Sequence, residues 1–594
     1  MIKYLITSLL LLIQIHAAQA MDQDLRAQAS FYIDTYGLVD AKTMPLADRA
    51  NKIFDRIRQI AEEPIDLTPS LRIINSSGRP WAIALPDGYI ILSKAAIEIC
   101  YKNVSPEEGD ARLAFVLGHE LAHLSTNDFW HRKMYLSLSG EHNEKSLDKI
   151  RHAILSAAKA QGATENDWRE VIKRKELQAD DAGFLYASLA GFRTDQIFSD
   201  SDNNRDFLQT WVNQTQTLDD ELHFNAKERS AFLRNRFKQI MTQVEYFMSG
   251  VRLAHFGQFE DAMHFFEKFQ KAFPAHEVLN NLGFVHLQLA RKHMPNALRY
   301  QYWLPTFMDN APAFVTRTRT MDTSLSPISL QHLQKSIKYF KKAVSAHSNN
   351  RLSLVNLAAA YMYLGEFHNA RAYIEQARKL DLKSPSVNEI RALILYEQEK
   401  DIDMWPKTMS ILKKLADLDI PTAWFNLAQL YESRGRSNEA KTYWQRIIAL
   451  KDSTPKPIFL IACNKIYSQD ICLKDKKDLI DPPFSTNPTV GSNIESATVK
   501  NSVKDWQRRR EEIGPLTVDM LVSKKGDLYL AIEDNIAIIV VKNHALKSIH
   551  QLLKCCGNPQ STHSFGDAEI WSYGQKWSAL VEHGTVKEVW LKGI

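Results

Sequence analysis

The sequence predicts an α+β protein: a mostly α-helical N-terminal region with a small β-sheet, then an α-solenoid, then a small β-rich C-terminal domain. Three observations predict it. Apolar residues recur at helical period over 27–36, 47–60, 110–126 and 168–189. Small and aromatic residues recur together at a spacing of about 34 between 246 and 460. Beyond residue 513 the apolar residues gather in short runs separated by turn residues, the texture of strands.

The chain has 594 residues, 45% of them hydrophobic and 24% charged, ordinary values for a soluble globular protein of several domains. The expected division is 1–20, 21–245, 246–460, a linker over 461–512, and 513–594. A net charge of +5 is too slight for this length to indicate nucleic acid. The one dense basic run, Arg508-Arg509-Arg510, is followed at once by Glu511-Glu512, which predicts a solvated helix face.

At the N-terminus, Lys3 precedes an apolar run over 4–15, and Ala18-Gln19-Ala20 follows. This is the pattern of a secretory signal peptide cleaved after Ala20. The run is too short to span a bilayer comfortably, and no other stretch of 18 or more apolar residues occurs. The mature chain is therefore expected to be exported, without an integral span.

Candidate strands at 71–74, 81–85 and 89–92 follow the first helices. The last two are joined by Pro86-Asp87-Gly88, a hairpin signal. Such a sheet either only packs or also presents an edge to extended substrate, and the two are compatible.

The next helix carries His119-Glu120-Leu121-Ala122-His123. Positions four apart share a helix face, so two imidazoles can grip one zinc ion while Glu120 reaches the metal-bound water. A third protein ligand is needed, and Glu176-Leu177-Gln178-Ala179-Asp180 supplies a candidate on a later helix. Glu176 is the expected ligand. Asp180, on the same face, is expected to accept a hydrogen bond from a ligand imidazole. Ala182-Gly183 and Ala187 would let this helix approach the first closely, and Gly191-Phe192 would end it. The charged stretch at 141–149 reads equally as a lid or a surface excursion. The expected chemistry is zinc-assisted peptide hydrolysis with His119, His123 and Glu176 as ligands and Glu120 as general base.

Residues 21–245 resemble the peptidase family that includes the HtpX-, Oma- and BepA-type zinc proteases. The resemblance rests on the strand and turn at 81–88, on Leu117-Gly118-His119-Glu120-Leu121-Ala122-His123-Leu124, and on Glu176-Leu177-Gln178-Ala179-Asp180 with the following Ala190-Gly191-Phe192. His223 and Arg229 complete it. Two positions depart from the family: Phe224 stands where it has proline, and Asp181 where it often has arginine. The resemblance implies that His223 and Arg229 lie near the zinc, where either could steady an oxyanion. His223 reads equally as a regulatory imidazole closing the open metal position, or as a surface histidine. The BepA-type likeness further implies a Gram-negative periplasm, envelope or outer-membrane protein quality control, and chaperone-like assistance beside degradation.

The repeats follow. Gly250, Leu253, Ala262, Phe266 and Pro274 fall at tetratricopeptide offsets, and so do Leu357, Ala358, Tyr361, Gly365, Ala370 and Ala377. Leu427, Ala428, Tyr431, Gly435, Ala440 and Trp444 repeat the set, with a degenerate unit over 392–415 between them. Paired helices of this kind stack into a solenoid with a concave face, which suits protein clients and assembly machinery as partners. An insertion between about 290 and 327 carries Trp303, Pro305, Phe307, Pro312 and Phe314. It either engages a partner or caps the solenoid.

In the last domain strands are expected at 528–532, 536–541, 569–571, 578–581 and 586–591, a helix at 545–553, and a turn at His583-Gly584. Of the five cysteines, Cys463 and Cys472 flank a turn and are the first choice for a disulfide. Adjacent Cys555 and Cys556 are not expected to bond each other, and the odd count leaves at least one free thiol or an intermolecular bond. Two functional classes follow: an exported zinc endopeptidase whose repeats recruit clients, or a repeat-based chaperone or assembly adaptor with latent or minor proteolysis.

Overall fold

The computed structural model describes residues 28–40, 44–61, 68–126, 165–215, 226–308, 325–398, 404–467 and 486–592, apart from short gaps inside these stretches. The signal-peptide region, the stretch at 141–149, His223 and Cys472 lie outside the described residues. The chain divides into two compact units, Met1–Val244 and Glu245–Ile594. Among the described residues no helix is long and apolar enough to cross a membrane.

In the first unit, helices Gln28–Tyr36 and Pro45–Arg58 precede three strands, β1 (Ser70–Ile74), β2 (Ala82–Ala84) and β3 (Tyr89–Ser93). The sheet order is β1-β3-β2, with β1 parallel and β2 antiparallel to β3. The β2–β3 turn forms because Gly88 takes a left-handed conformation (φ +85) and Leu85 N donates to Tyr89 O at 2.8 Å. Ile74, Ile83, Leu85 and Ile91 make a small apolar core with Ala29. Ser93 ends β3 and caps helix Lys94–Cys100: its hydroxyl accepts from Ala96 N at 3.1 Å and from Trp81 N at 3.0 Å.

Helix Pro106–Thr126 follows and crosses helix Glu165–Leu189. The second ends as the sequence predicts, with Gly191 left-handed (φ +84) and Phe192 N donating to Ala187 O at 3.0 Å. A two-stranded ladder, β4 (Asp200–Ser201) and β5 (Arg205–Asp206), and helix Phe207–Thr215 come next. Helix Ala226–His255 begins in the first unit and ends in the second.

The second unit opens with stacked helix pairs. The end of Ala226–His255 packs on Phe259–Ala272 through Phe247 against Phe266 and Phe269. His276–Lys292 pairs with Pro327–Ala346, and Arg351–Leu364 with Phe367–Leu380. Pro385–Gln398 pairs with Trp405–Ala416, Pro421–Ser433 with Ser437–Ala449, and Lys456–Ile466 closes the row. The glycine of the first pair is needed for contact: a Cβ on Gly250 would stand 2.8 Å from the Phe266 ring.

The C-terminal sheet has eight antiparallel strands: β6 (Gln507–Ile513), β7 (Leu516–Val522), β8 (Leu528–Ile532), β9 (Asn535–Val541), β10 (Ser561–Phe565), β11 (Ala568–Ser572), β12 (Trp577–Glu582) and β13 (Thr585–Lys592). The order is β10-β11-β12-β13-β9-β8-β7-β6. The sheet is fixed to the first repeat. His255 Nε2 meets Ser578 Oγ at 2.8 Å, Arg252 pairs with Glu588 at 3.3 Å, and Lys592 donates to Phe256 O at 2.6 Å.

Several expectations are corrected here. Arg508, Arg509 and Arg510 lie on β6, not on a helix. The run resembles a solvated helix because it is charged throughout, yet β6 is an edge strand, where charge is common. Arg508 reaches Asp519 at 2.7 Å and Arg510 reaches Asp534 at 2.9 Å, one on the neighbouring strand and one in a nearby turn. Residues expected in a linker, Ile494, Val499 and Val503, pack into the core of this sheet. The helix expected over 545–553 runs instead from Ile549 to Cys556, capped by Ser548. Cys555 and Cys556 are joined to each other at its end, where Gly557 turns the chain out of the helix at φ +71. Cys463 is disulfide-bonded, and Cys100 is a buried free thiol.

Inside the solenoid, Glu389 is buried and accepts from Thr422 Oγ1 at 2.8 Å and Asn426 Nδ2 at 2.7 Å. Burial outweighs these bonds and pushes its pKa from 4.5 up to about 7. Below 4.5 the carboxyl is protonated in both folded and unfolded chains; as pH rises through about 7 the folded chain carries the full cost of a buried charge. Glu389→Gln is therefore expected to raise the melting midpoint of the repeats by a few degrees at pH 8 and to leave it unchanged at pH 4, measured by circular dichroism.

Candidate active site

Two helices build the site. Pro106–Thr126 supplies His119, Glu120 and His123, and Glu165–Leu189 supplies Glu176 and Asp180. They cross at two glycines. A Cβ on Gly118 would stand 3.1 Å from Gly183 Cα, and one on Gly183 would stand 3.0 Å from both His119 N and Phe115 O. Either would force the backbones apart. Beside the crossing, the rings of Phe115 and Phe184 pack with centroids 4.5 Å apart, which seals the apolar side.

The crossing brings the three predicted ligands together. His119 Nε2 and His123 Nε2 are 3.1 Å apart, and Glu176 oxygens lie 3.5 Å from the first and 3.4 Å from the second. Ligand atoms around a tetrahedral ion such as zinc are separated by about 3.3 Å, given metal–ligand distances of about 2.0–2.1 Å. The donor set thus fits one face of a tetrahedron, with nitrogen and oxygen donors of the kind zinc takes. Among the described residues this is the one group of three or more such side chains placed to hold a metal ion.

Asp180 lies behind the ligands, fully buried. It stands 2.9 Å from His119 Nδ1 and receives Arg229 through Nε and Nη2, both at 2.8 Å. With Nδ1 donating to Asp180, His119 presents Nε2 unprotonated toward the metal position. Burial opposes ionisation of Asp180, but the Arg229 charge and the His119 bond prevail and hold its pKa below the usual carboxylate value. The reciprocal charge of Asp180 keeps the buried Arg229 protonated. Arg229 also reaches Glu176 at 3.5 Å. Its guanidinium is thus turned to the Asp180 and Glu176 carboxylates.

Sequence reasoning missed one contact. Ala84 N, on edge strand β2, donates to Glu120 Oε2 at 2.7 Å. Glu120 is buried, and this bond fixes its carboxylate at the sheet edge. No residue type announces a main-chain donor; only the hairpin signal at Asp87-Gly88 hinted that an edge would be near. Asp181, the position that departs from the family, pairs with Arg236 at 2.5 Å.

Residues 48–210 match the model of Peptidase family M48. The M48 segment contains His119, Glu120, His123, Glu176 and Asp180, while Arg229 lies beyond it. The match supports a metallopeptidase. Residues 353–384 and 421–454 match the tetratricopeptide repeat model. No curated protein matches the chain. Among solved structures, the chain is similar to TTC0263, a thermophilic TPR protein of Thermus thermophilus. The identity is 17%, over 38% of this chain and 98% of that one, with a TM-score of 0.28. It is similar also to MamA, at 22% identity over 27% of this chain and 86% of that one, with a TM-score of 0.19.

The glycine crossing yields a prediction. Gly183→Ala is expected to destabilise the M48 segment by about 1–3 kcal/mol in urea unfolding and to weaken metal retention against a chelator. Arg229→Ala is expected to lower metal affinity about 10- to 100-fold, by the same competition assay, because Asp180 loses its counter-charge and His119 its orientation.

Proposed function

We propose that the chain is an exported zinc-dependent endopeptidase that hydrolyses peptide bonds of protein clients recruited by its repeats. The observation that carries this is the placement of His119, His123 and Glu176 at tetrahedral spacing, backed by Asp180 and Arg229. His119, His123 and Glu176 would hold Zn²⁺, which when bound acidifies a water and polarises the scissile carbonyl. Glu120, oriented by Ala84 N, takes the proton of the attacking water and returns it to the leaving amine. β2 is an edge strand of its sheet, and Ala84 places that carboxylate beside it. An extended peptide added to this edge would be led past Glu120.

The pattern at residues 1–20 supports export to a periplasm, and the family resemblance supports a role in envelope or outer-membrane protein quality control. The second reading, a repeat-based chaperone or adaptor with minor proteolysis, is favoured by one feature: Asn356 and Asn426 on two repeat helices bond the main chain of an extended segment.

Glu120→Gln is expected to lower cleavage of an unfolded protein by about 10²- to 10⁴-fold while zinc content stays unchanged. A gel-based cleavage assay with metal analysis of the same sample measures both. Undiminished function of the Glu120→Gln protein in its own cell would favour the adaptor reading over the protease.

A further inference from the structure

The insertion between the helices of the second repeat does not close that repeat. Helices His276–Lys292 and Pro327–Ala346 already pack on each other; a Cβ on Gly283 would stand 2.5 Å from the Phe340 ring. After the short helix Asn296–Arg299, the chain runs without helix or strand through residues 301–307. It contacts helices Arg351–Leu364, Pro385–Gln398 and Pro421–Ser433 of later repeats through Asn356, Glu397 and Asn426.

Side-chain amides hold its backbone: Asn280 Nδ2 donates to Phe307 O at 3.3 Å, Gln429 Nε2 donates to Tyr300 O at 2.5 Å, and two further asparagines each make a pair of bonds. Asn426 Oδ1 accepts from Trp303 N at 2.8 Å, and its Nδ2 donates to Trp303 O at 2.9 Å. Asn356 Oδ1 accepts from Phe307 N at 2.7 Å, and its Nδ2 donates to Phe307 O at 2.5 Å. Each side-chain amide thus exchanges both bonds with one residue, as the facing residue of an antiparallel strand would. Asn356 and Asn426 occupy the same repeat position, each just before a Leu-Ala pair (Leu357-Ala358 and Leu427-Ala428). The grip reads only main-chain atoms, so it is indifferent to sequence at Trp303 and Phe307. Side-chain pockets add preference. The Trp303 ring lies 5.9 Å from that of Phe425 and under the Arg291 guanidinium, and Leu304 and Met308 are buried.

We propose that the face of the repeats that carries Asn356 and Asn426 is a binding site for an extended, aromatic-bearing polypeptide segment held through its backbone by these two side chains. Residues 300–308 of this chain occupy it as a tethered internal ligand that an incoming segment displaces. The proposal deepens the client-recruitment part of the proposed function and rests on it. It is tested without hydrolysis, so its failure is separable from failure of the protease reading, which cleavage by the unaltered chain reports.

The test uses the full-length Glu120→Gln protein and a fluorescent peptide of residues 300–308, read by fluorescence anisotropy. Replacing 300–308 by a Gly-Ser segment of equal length is expected to tighten peptide binding at least about tenfold by removing the tethered competitor. Adding Asn356→Ala and Asn426→Ala to the replaced chain is expected to weaken binding by about 10- to 100-fold, as is N-methylation of the peptide at its Trp303 and Phe307 amides. In the unreplaced chain, saturating peptide is expected to speed amide exchange at residues 303 and 307 but not in helix Arg351–Leu364. A replaced chain that melts cooperatively and binds no better than its parent overturns the proposal. So does a replaced chain that no longer melts cooperatively, since 300–308 would then be core. Unchanged amide exchange at 303 and 307 overturns displacement independently.

Discussion

The site depends on how closely two helices can cross. His119 and His123 come from one and Glu176 from the other, and metal-ligand distances tolerate errors of only about 0.2 Å. Side chains larger than hydrogen at Gly118 and Gly183 would separate the axes and carry Glu176 away from the imidazoles. The glycines cost helix propensity, about 1 kcal/mol each relative to alanine. The apolar contact of Phe115 with Phe184 and the burial of Ala179, Leu185 and Ala187 offset that cost in the same crossing.

Charge then follows from geometry. Glu120, Glu176 and Asp180 converge with two imidazoles, and the Arg229 guanidinium pairs with Glu176 and Asp180. Three carboxylates against one guanidinium leave an excess of negative charge in a largely buried place, which is expensive without a counter-ion. A divalent cation held by the histidines and Glu176 would balance it. The same arithmetic explains why Arg229 stands behind the ligands. Facing outward it would leave Asp180 buried and uncompensated, and the imidazole it orients would lose its fixed tautomer.

Much of this was legible in the sequence because the chemistry fixes spacing. Two histidines four apart, and a glutamate four before an aspartate, state their helix faces directly. Asp87-Gly88 declared its hairpin, and the recurring Leu-Ala, Tyr, Gly and Ala positions declared the repeats. What stayed hidden depends on partners distant in the chain. The Ala84 amide meets Glu120 only once sheet and helix are packed. Arg508 to Arg510 form a strand because Asp519 and Asp534 receive them, a fact no window around residue 509 contains. The insertion aromatics left two uses open, partner or cap, because the asparagines that hold them lie 49 and 123 residues further on.

Those asparagines and the Glu120 edge address the same physical problem. An unfolded client exposes main-chain donors and acceptors whatever its sequence, so a binder of many clients gains most by satisfying backbone rather than side chains. In the second unit Asn356 and Asn426 bond the main chain of Phe307 and Trp303 with side-chain amides on helices, and in the first Ala84 of edge strand β2 holds the Glu120 carboxylate with its main chain. Under the proposed function, a client held first by the repeats would meet the Glu120 site in an intramolecular encounter, at a raised effective concentration. Under the proposed displacement, residues 300–308 would set a threshold on that coupling, and only segments that outcompete them would gain the advantage.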